Sequence, residues 1–343
     1  MYNLDKLKYY LKNILEIASP TGYTENLIDY VSEELHILDI SFQITNKGAL
    51  VVTLPGKNVE YERTVSAHID TLGAMVKEIK EKGTLAITPV GGYMMNSIEG
   101  ENCTIETIDG KSFSGTIQTI EPSVHIYDDA RTLKREPKNM EVVLDEKISS
   151  KEDVLKLGID VGDFICFDSR ARFTENGFVK SRHLDDKASA AILLYAIKYI
   201  KENKITLPYT TNFYFSNYEE VGHGAAYIPP NTKEFLSVDM GAPGTGQNSS
   251  EYSVCICAKD SSGPYDYSFR KRLVELCRKN NISYKIDTYP HYGSDASAAV
   301  SAGWDVKTAL IGTGVFASHG YERTHMEGIE ATLDLLLKYC EEK

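Results

Sequence analysis

The chain has 343 residues, more than the ~250–300 at which a single hydrophobic core stops growing, so two compact units are expected, one of them free to be inserted in the other. With 42% hydrophobic residues, 25% charged residues and 11 prolines, the composition excludes a disordered, collagen-like or repeat chain. The balance of 49 acidic against 37 basic side chains gives a net charge of −12, which argues against nucleic acid or an anionic membrane as a partner.

In chain order, apolar residues recur at helical spacing from Leu4 to Ile17, and SPTG then stops the helix, because proline lacks a donor. Thr24 is the expected N-cap of a second helix through LIDYVSEEL. The β-like runs SFQIT, ALVVTL and TVSAHIDT follow. Between about Gly73 and Phe173, strand-length pieces (AITPVGG, CTIETIDG, SFSGTIQTI, EVVLD, DFICFD) alternate with glycine turns, and KEDVLKLG alone reads as helical. Beyond that β-rich module, Asp186–Lys201 is a helix, TNFYFSNY a buried strand, and YSFRKRLVELCRKN, SDASAAVSAG and IEATLDLLLKYCEE are further helices. The pattern is an α/β sheet interrupted by a β insertion. Six scattered cysteines without a CxxC pair read as free buried thiols in a reducing compartment. No apolar run reaches the ~20 residues of a membrane span, and MYNLDKLKYYLKN reads as an amphipathic helix rather than a signal peptide. The expected compartment is the cytoplasm.

The polar residues with chemical potential stand at strand ends. His68 and Asp70 in AHIDT are two apart and share one side of a strand, so one imidazole could bind a metal while the carboxylate orients it. In RHLDDKAS, Asp185 and Asp186 lie at a strand-to-helix junction, where an N-cap alone accounts for Asp186. Glu219 and Glu220 end a buried strand and, unless they face solvent, need cations to offset repulsion and desolvation. Asp239 closes FLSVDMG, and His325 precedes the last helix. Together, His, Asp, Glu, Asp and His at one sheet edge would supply ligands for two zinc-like ions if Asp185 is shared.

The order and spacing of SPTGYTE, AHIDTLG, HLDDKAS, the EEVG motif, SVDMG, YGSDASAAVSAG and the terminal histidine motif resemble the tetrahedral (TET) aminopeptidases, dinuclear metallopeptidases that include glutamyl and leucyl aminopeptidases. The 117 positions from His68 to Asp185 are similar to that family's spacing. The resemblance implies a mixed sheet sandwiched by helices, a catalytic domain of residues 1–72 and 174–343, and an inserted β-barrel-like dimerisation and lid domain of residues 73–173. It further implies that His68 and Asp239 bind one metal and Glu220 and His325 the other, with Asp185 bridging, Glu219 as general base and Asp70 supporting His68. His319 in ASHGY competes with His325 for the last position. His223 and Gly224 replace the basic residue and glycine that many members carry after EEVG, and His183 and His291 are candidate supporting or substrate-contacting groups.

The implied activity is removal of the N-terminal residue from short peptides, using a metal-bridging water and two divalent ions, with zinc or cobalt expected and manganese an option. A homo-oligomer built from dimers, up to a dodecamer, is implied as well. The alternatives are an amidase or deacylase acting on a non-peptide amide with the same metals, a glycosidase using two carboxyls, and a non-catalytic metal-stabilised protein.

Overall fold

The computed structural model describes residues 2–343. Its body is a nine-stranded mixed sheet in the order Gln43–Ile44, Leu50–Leu54, Leu207–Ser216, Gly56–His68, Thr232–Gly241, Lys307–Gly314, Val254–Asp260 and Gly263–Pro264, with Tyr284–Thr288 paired to Val254–Asp260. The four strands from Leu207–Ser216 to Lys307–Gly314 run parallel. They are buried on both faces, as the apolar run Phe213–Tyr214–Phe215 in the first of them demands. Their carboxyl ends come level, with Ser216 opposite His68 and Asp239 opposite Gly312. Only glycine fits at 312, because a Cβ there would lie 1.6 Å from the Asp239 carbonyl oxygen.

Helices pack on this sheet through one large apolar cluster. The helix Leu4–Glu16 buries Leu7, Leu11, Ile14 and Leu15, and the Asn3 side chain caps it by accepting from the Lys6 amide. Thr24 stands at the start of Glu25–Ile37 but makes no capping bond, since its hydroxyl accepts from Asn217 Nδ2 at 2.6 Å. The helix Leu184–Glu202 is almost wholly buried, and its small residues Ala188, Ser189, Ala190 and Ala191 let it lie close to the sheet. Tyr267–Asn280, Asp295–Ser301 and Met326–Glu341 complete the helical layers.

Six strands between Gly73 and Phe167 close into an antiparallel barrel in the order Gly73–Ile79, Leu85–Val90, Met140–Leu144, Ser112–Thr119, Asn102–Glu106 and Phe164–Phe167. The barrel has its own apolar core around Val76, Ile87, Ile105, Ile117, Val142 and Ile165. Closure removes the free strand edges that a small open sheet would expose. Lys151–Leu157 is the module's α-helix, capped by Ser150 and stopped by Gly158 at φ 95°. A separate three-stranded sheet pairs Arg172–Phe173 with Phe178–Ser181 and Phe178–Ser181 with Glu322–His325. All six cysteines are buried and free, and among the described residues no helix is long and apolar enough to cross a membrane.

Candidate active site

The carboxyl ends of the parallel strands carry a buried cluster of imidazoles and carboxylates. His68 ends Gly56–His68, Glu219 and Glu220 follow Leu207–Ser216, Asp239 lies near the end of Thr232–Gly241, and His319 follows Lys307–Gly314. Asp185 and Asp186 enter from the start of Leu184–Glu202. The chain turns sharply to present them. His183, Tyr218 and His319 all have left-handed backbone angles, with φ of 68°, 73° and 63°, which are uncommon outside glycine.

Asp185 stands between two imidazoles. Its Oδ1 is 3.3 Å from His68 Nε2, and its Oδ2 is 3.5 Å from His319 Nε2. Glu219 Oε2 is 3.7 Å from His68 Nε2, and Glu220 Oε2 is 3.6 Å from His319 Nε2. Ligand atoms of His68, Asp185 and Glu220 lie within 4.8 Å of one another, as do those of His68, Asp186 and Asp239. Both imidazoles are aimed by their other nitrogen: His68 Nδ1 meets the Asp70 carbonyl at 2.9 Å, and His319 Nδ1 meets the Gly92 carbonyl at 2.5 Å. Such bonds set the orientation and tautomer of a metal-binding histidine.

Asp70 therefore supports His68 through its main-chain oxygen. Its carboxylate instead accepts from the Glu219 and Glu220 amides at 3.1 and 3.3 Å and from the Thr21 hydroxyl at 2.6 Å. Two acids that sequence reasoning overlooked or read as a cap also belong here. Asp186 Oδ2 accepts from the His68 amide at 3.2 Å, while His183 occupies the N-cap position. Glu322 holds two segments together, accepting from the Asp185 amide at 3.1 Å and the His319 amide at 2.9 Å. No sequence signal in YERTH marks Glu322, because only the structure shows this acid to be buried.

The structure does not bring His325 to this cluster. Its Nε2 donates to the Asn176 carbonyl at 2.7 Å, its Nδ1 accepts from the Glu327 amide, and its ring packs on Phe178 and Tyr252. Glu322–His325 forms a strand on the small sheet, and this pairing carries His325 to the start of the last helix. His319, in the loop directly after a parallel strand, is at the same sheet edge as the other groups. His291 lines the site cavity. His183 is buried elsewhere, at a cavity lined by Ile17, Cys166 and Lys187.

The electrostatics call for cations. Burial, reinforced by neighbouring carboxylates, raises Glu219, Glu220 and Asp186 well above the ordinary carboxyl range and pushes Asp239 up to about 7. Burial would also raise Asp185, but His319 and His68 outweigh it and hold this carboxyl well below its usual value. Conversely, burial alone would lower His68, yet Asp185, Glu219, Asp186 and Asp239 raise it well above the ordinary imidazole value. Asp186 Oδ1 and Glu220 Oε1 are buried without any hydrogen-bond partner. Orphaned oxygens inside a cluster of imidazole and carboxylate donors fit divalent transition ions, whose binding would satisfy both charge and coordination.

The sequence profile of the M42 glutamyl aminopeptidase family matches residues 48–335. The Bacillus subtilis protein named "Putative aminopeptidase YhfE" is 50% identical over 342 residues, covering 99% of both chains. The Lactococcus lactis subsp. cremoris "Glutamyl aminopeptidase" is 24% identical over 234 residues, 67% of this chain and 65% of that one. Among solved structures, a TET aminopeptidase from a marine sediment archaeon superposes with a TM-score of 0.89 at 18% identity, covering 98% of this chain and 97% of its own. The Pyrococcus horikoshii TET1 peptidase gives 0.85 at 22% identity and 99% of both chains. With a profile match over most of its length and a relative sharing half its residues, the chain belongs to the M42 glutamyl aminopeptidase family and is a metal-dependent aminopeptidase.

Proposed function

We propose that the chain removes the N-terminal residue of short peptides with two divalent ions. His68 and Asp239 would hold one ion, Glu220 and His319 the other, and Asp185 would bridge them. The observation that carries this reading is the placement of Asp185 between two imidazoles, one carboxylate oxygen toward each. His319 takes the position first expected of His325, whose nitrogens are both engaged elsewhere. When bound, the ions would polarise the scissile carbonyl and make water a competent nucleophile near neutral pH.

Glu219 is the general base. Its carboxylate is inside the cluster, carries no hydrogen bond to a basic side chain, and has a raised affinity for protons from burial. It takes a proton from the attacking water and returns it to the departing amine. Asp70 keeps Glu219 in place through the Glu219 amide. A glycosidase would need two free carboxyls facing a sugar, whereas Glu219 faces His68 and Glu220 faces His319.

Residues 73–173 act as a lid and dimerisation domain in this reading. Support comes from Gly92, Tyr93 and Met94, which line the site cavity from the barrel segment. The P. horikoshii TET1 peptidase assembles into a tetrahedron or an octahedral shell, and a dimer-based homo-oligomer, up to a dodecamer, is proposed by likeness. Six free buried cysteines accord with the reducing cytoplasm.

Dialysis against EDTA followed by zinc or cobalt addition tests the proposal. Hydrolysis of a leucine p-nitroanilide should vanish on chelation and return as two ions per chain are restored. Chelator-insensitive hydrolysis, or full recovery with one ion, would overturn it.

A further inference from the structure

The site opens into a cavity of about 800 Å³, ample for a large substrate side chain beside the scissile bond. Asp185, Glu219, Glu220, Asp239 and His319 line it together with walls built by Met240, Pro243, Tyr289, Tyr292 and Val315. Neither lysine nor arginine lines the cavity among the described residues.

Basic side chains in segments next to the site are engaged elsewhere. Lys47 donates to His223, Lys187 Nζ to the Ile17 carbonyl at 2.5 Å, and Arg182 pairs with Glu101 and donates to the Ser97 and Gly320 carbonyls. The polar tips of the walls are likewise satisfied within the protein. Tyr292 Oη donates to the Met240 carbonyl at 3.0 Å, Tyr289 Oη pairs with Ser249 Oγ at 2.7 Å, and Gln247 Nε2 donates to the Thr288 carbonyl at 2.7 Å. Apart from the Gln247 Oε1 acceptor and the His291 imidazole, the walls offer a substrate ring face, thioether and methyl surface.

Charge balance leads the same way. Two divalent ions would carry four positive charges against the five acids Asp185, Asp186, Glu219, Glu220 and Asp239 gathered around them, leaving no positive surplus for an acidic substrate side chain. A carboxylate or ammonium drawn into this wall loses its water and gains no partner. His291 is exposed, where water and salt screen it.

Resting on the aminopeptidase reading above, we propose that this cavity receives the substrate's N-terminal side chain and selects large uncharged apolar residues such as leucine, methionine or phenylalanine. Acidic and lysyl N-termini are disfavoured. A glutamyl side chain, the substrate in the family's name, would meet no cation in these walls.

The test is kcat/KM of the zinc-loaded enzyme on p-nitroanilides of leucine, methionine, phenylalanine, glutamate, aspartate and lysine. The apolar substrates should exceed the charged ones by at least about 100-fold, the scale at which an apolar pocket rejects a side chain that brings an unmatched polar group. A charged residue matching or exceeding the best apolar one overturns the specificity proposal while leaving the aminopeptidase reading intact; hydrolysis of none of the six overturns that reading itself. Gln247→Arg, which adds a cation at the wall, should lower the leucine-to-glutamate ratio at least ten-fold. An unchanged ratio would show that the substrate side chain lies elsewhere.

Discussion

His319 Nε2 lies 3.5 Å from Asp185 Oδ2, on the opposite carboxylate oxygen from His68, so the second imidazole within reach of this carboxylate is that of His319 and not that of His325. Substituting each histidine separates the two roles. His319→Ala should lose about one of two bound ions by elemental analysis and cut kcat/KM at least ~100-fold, on the scale of losing a metal ligand's support or more. His325→Ala should keep both ions and lose about 1 kcal/mol of stability, as expected when a helix cap is removed. The reverse pattern would return the ligand role to His325.

Lys47 holds the loop that bears both glutamates. Its Nζ is 2.9 Å from His223 Nδ1 and also donates to the His223 carbonyl, it lies 4.9 Å above the Tyr218 ring, and its own carbonyl accepts from Asn217. Lys47→Met should therefore weaken metal binding about ten-fold or more, within the range seen for supporting partners, measured by competition with a chelator. Wild-type affinity and activity in this variant would show that the loop is held without it.

The barrel contains an ion cluster with a definite pH signature. Buried Glu141 accepts from Lys80 at 2.9 Å, Lys82 at 2.7 Å and Thr84 at 2.9 Å. Burial would raise its pKa, but these three donors outweigh it and hold the carboxyl below its ordinary value. A depressed folded-state pKa contributes stability that is present above the unfolded value of about 4.3 and is lost as pH falls through the folded value. Glu141→Gln should cost about 1–2 kcal/mol near neutrality, read by urea unfolding, and the gap to wild type should close below about pH 4. A gap independent of pH would place the effect in packing rather than charge.

Much of the fold can be read from residue patterns because local physics determines it. YSFRKRLVELCRKN forms the helix Tyr267–Asn280, KEDVLKLG ends at its glycine, and the apolar run around NFYFS lies in the parallel sheet. The strand-end rule also anticipated that His68, Glu219, Glu220 and Asp239 stand together at one sheet edge, because a polar residue after a continuous apolar run has to emerge there. Long-range pairing was not legible. His325 follows an equally plausible run, and only the pairing of Glu322–His325 with Phe178–Ser181 removes it from the site. In the same way, Thr24 meets Asn217, 193 positions away, instead of capping its helix, and the link between Lys47 and His223 spans 176 positions. Asp70 acts through its carbonyl on His68, a role that side-chain identity cannot reveal.

In the proposed mechanism Glu219 moves the proton while the remaining acids and imidazoles hold the ions. Glu219→Gln keeps the shape and removes the basicity, so kcat on a leucine p-nitroanilide, measured beside metal content in the same preparation, separates proton transfer from metal binding. A fall of about 10²–10⁴-fold is expected, the span attributed to general acid–base catalysis, with two ions still bound. Activity near wild type with both ions present would contradict it.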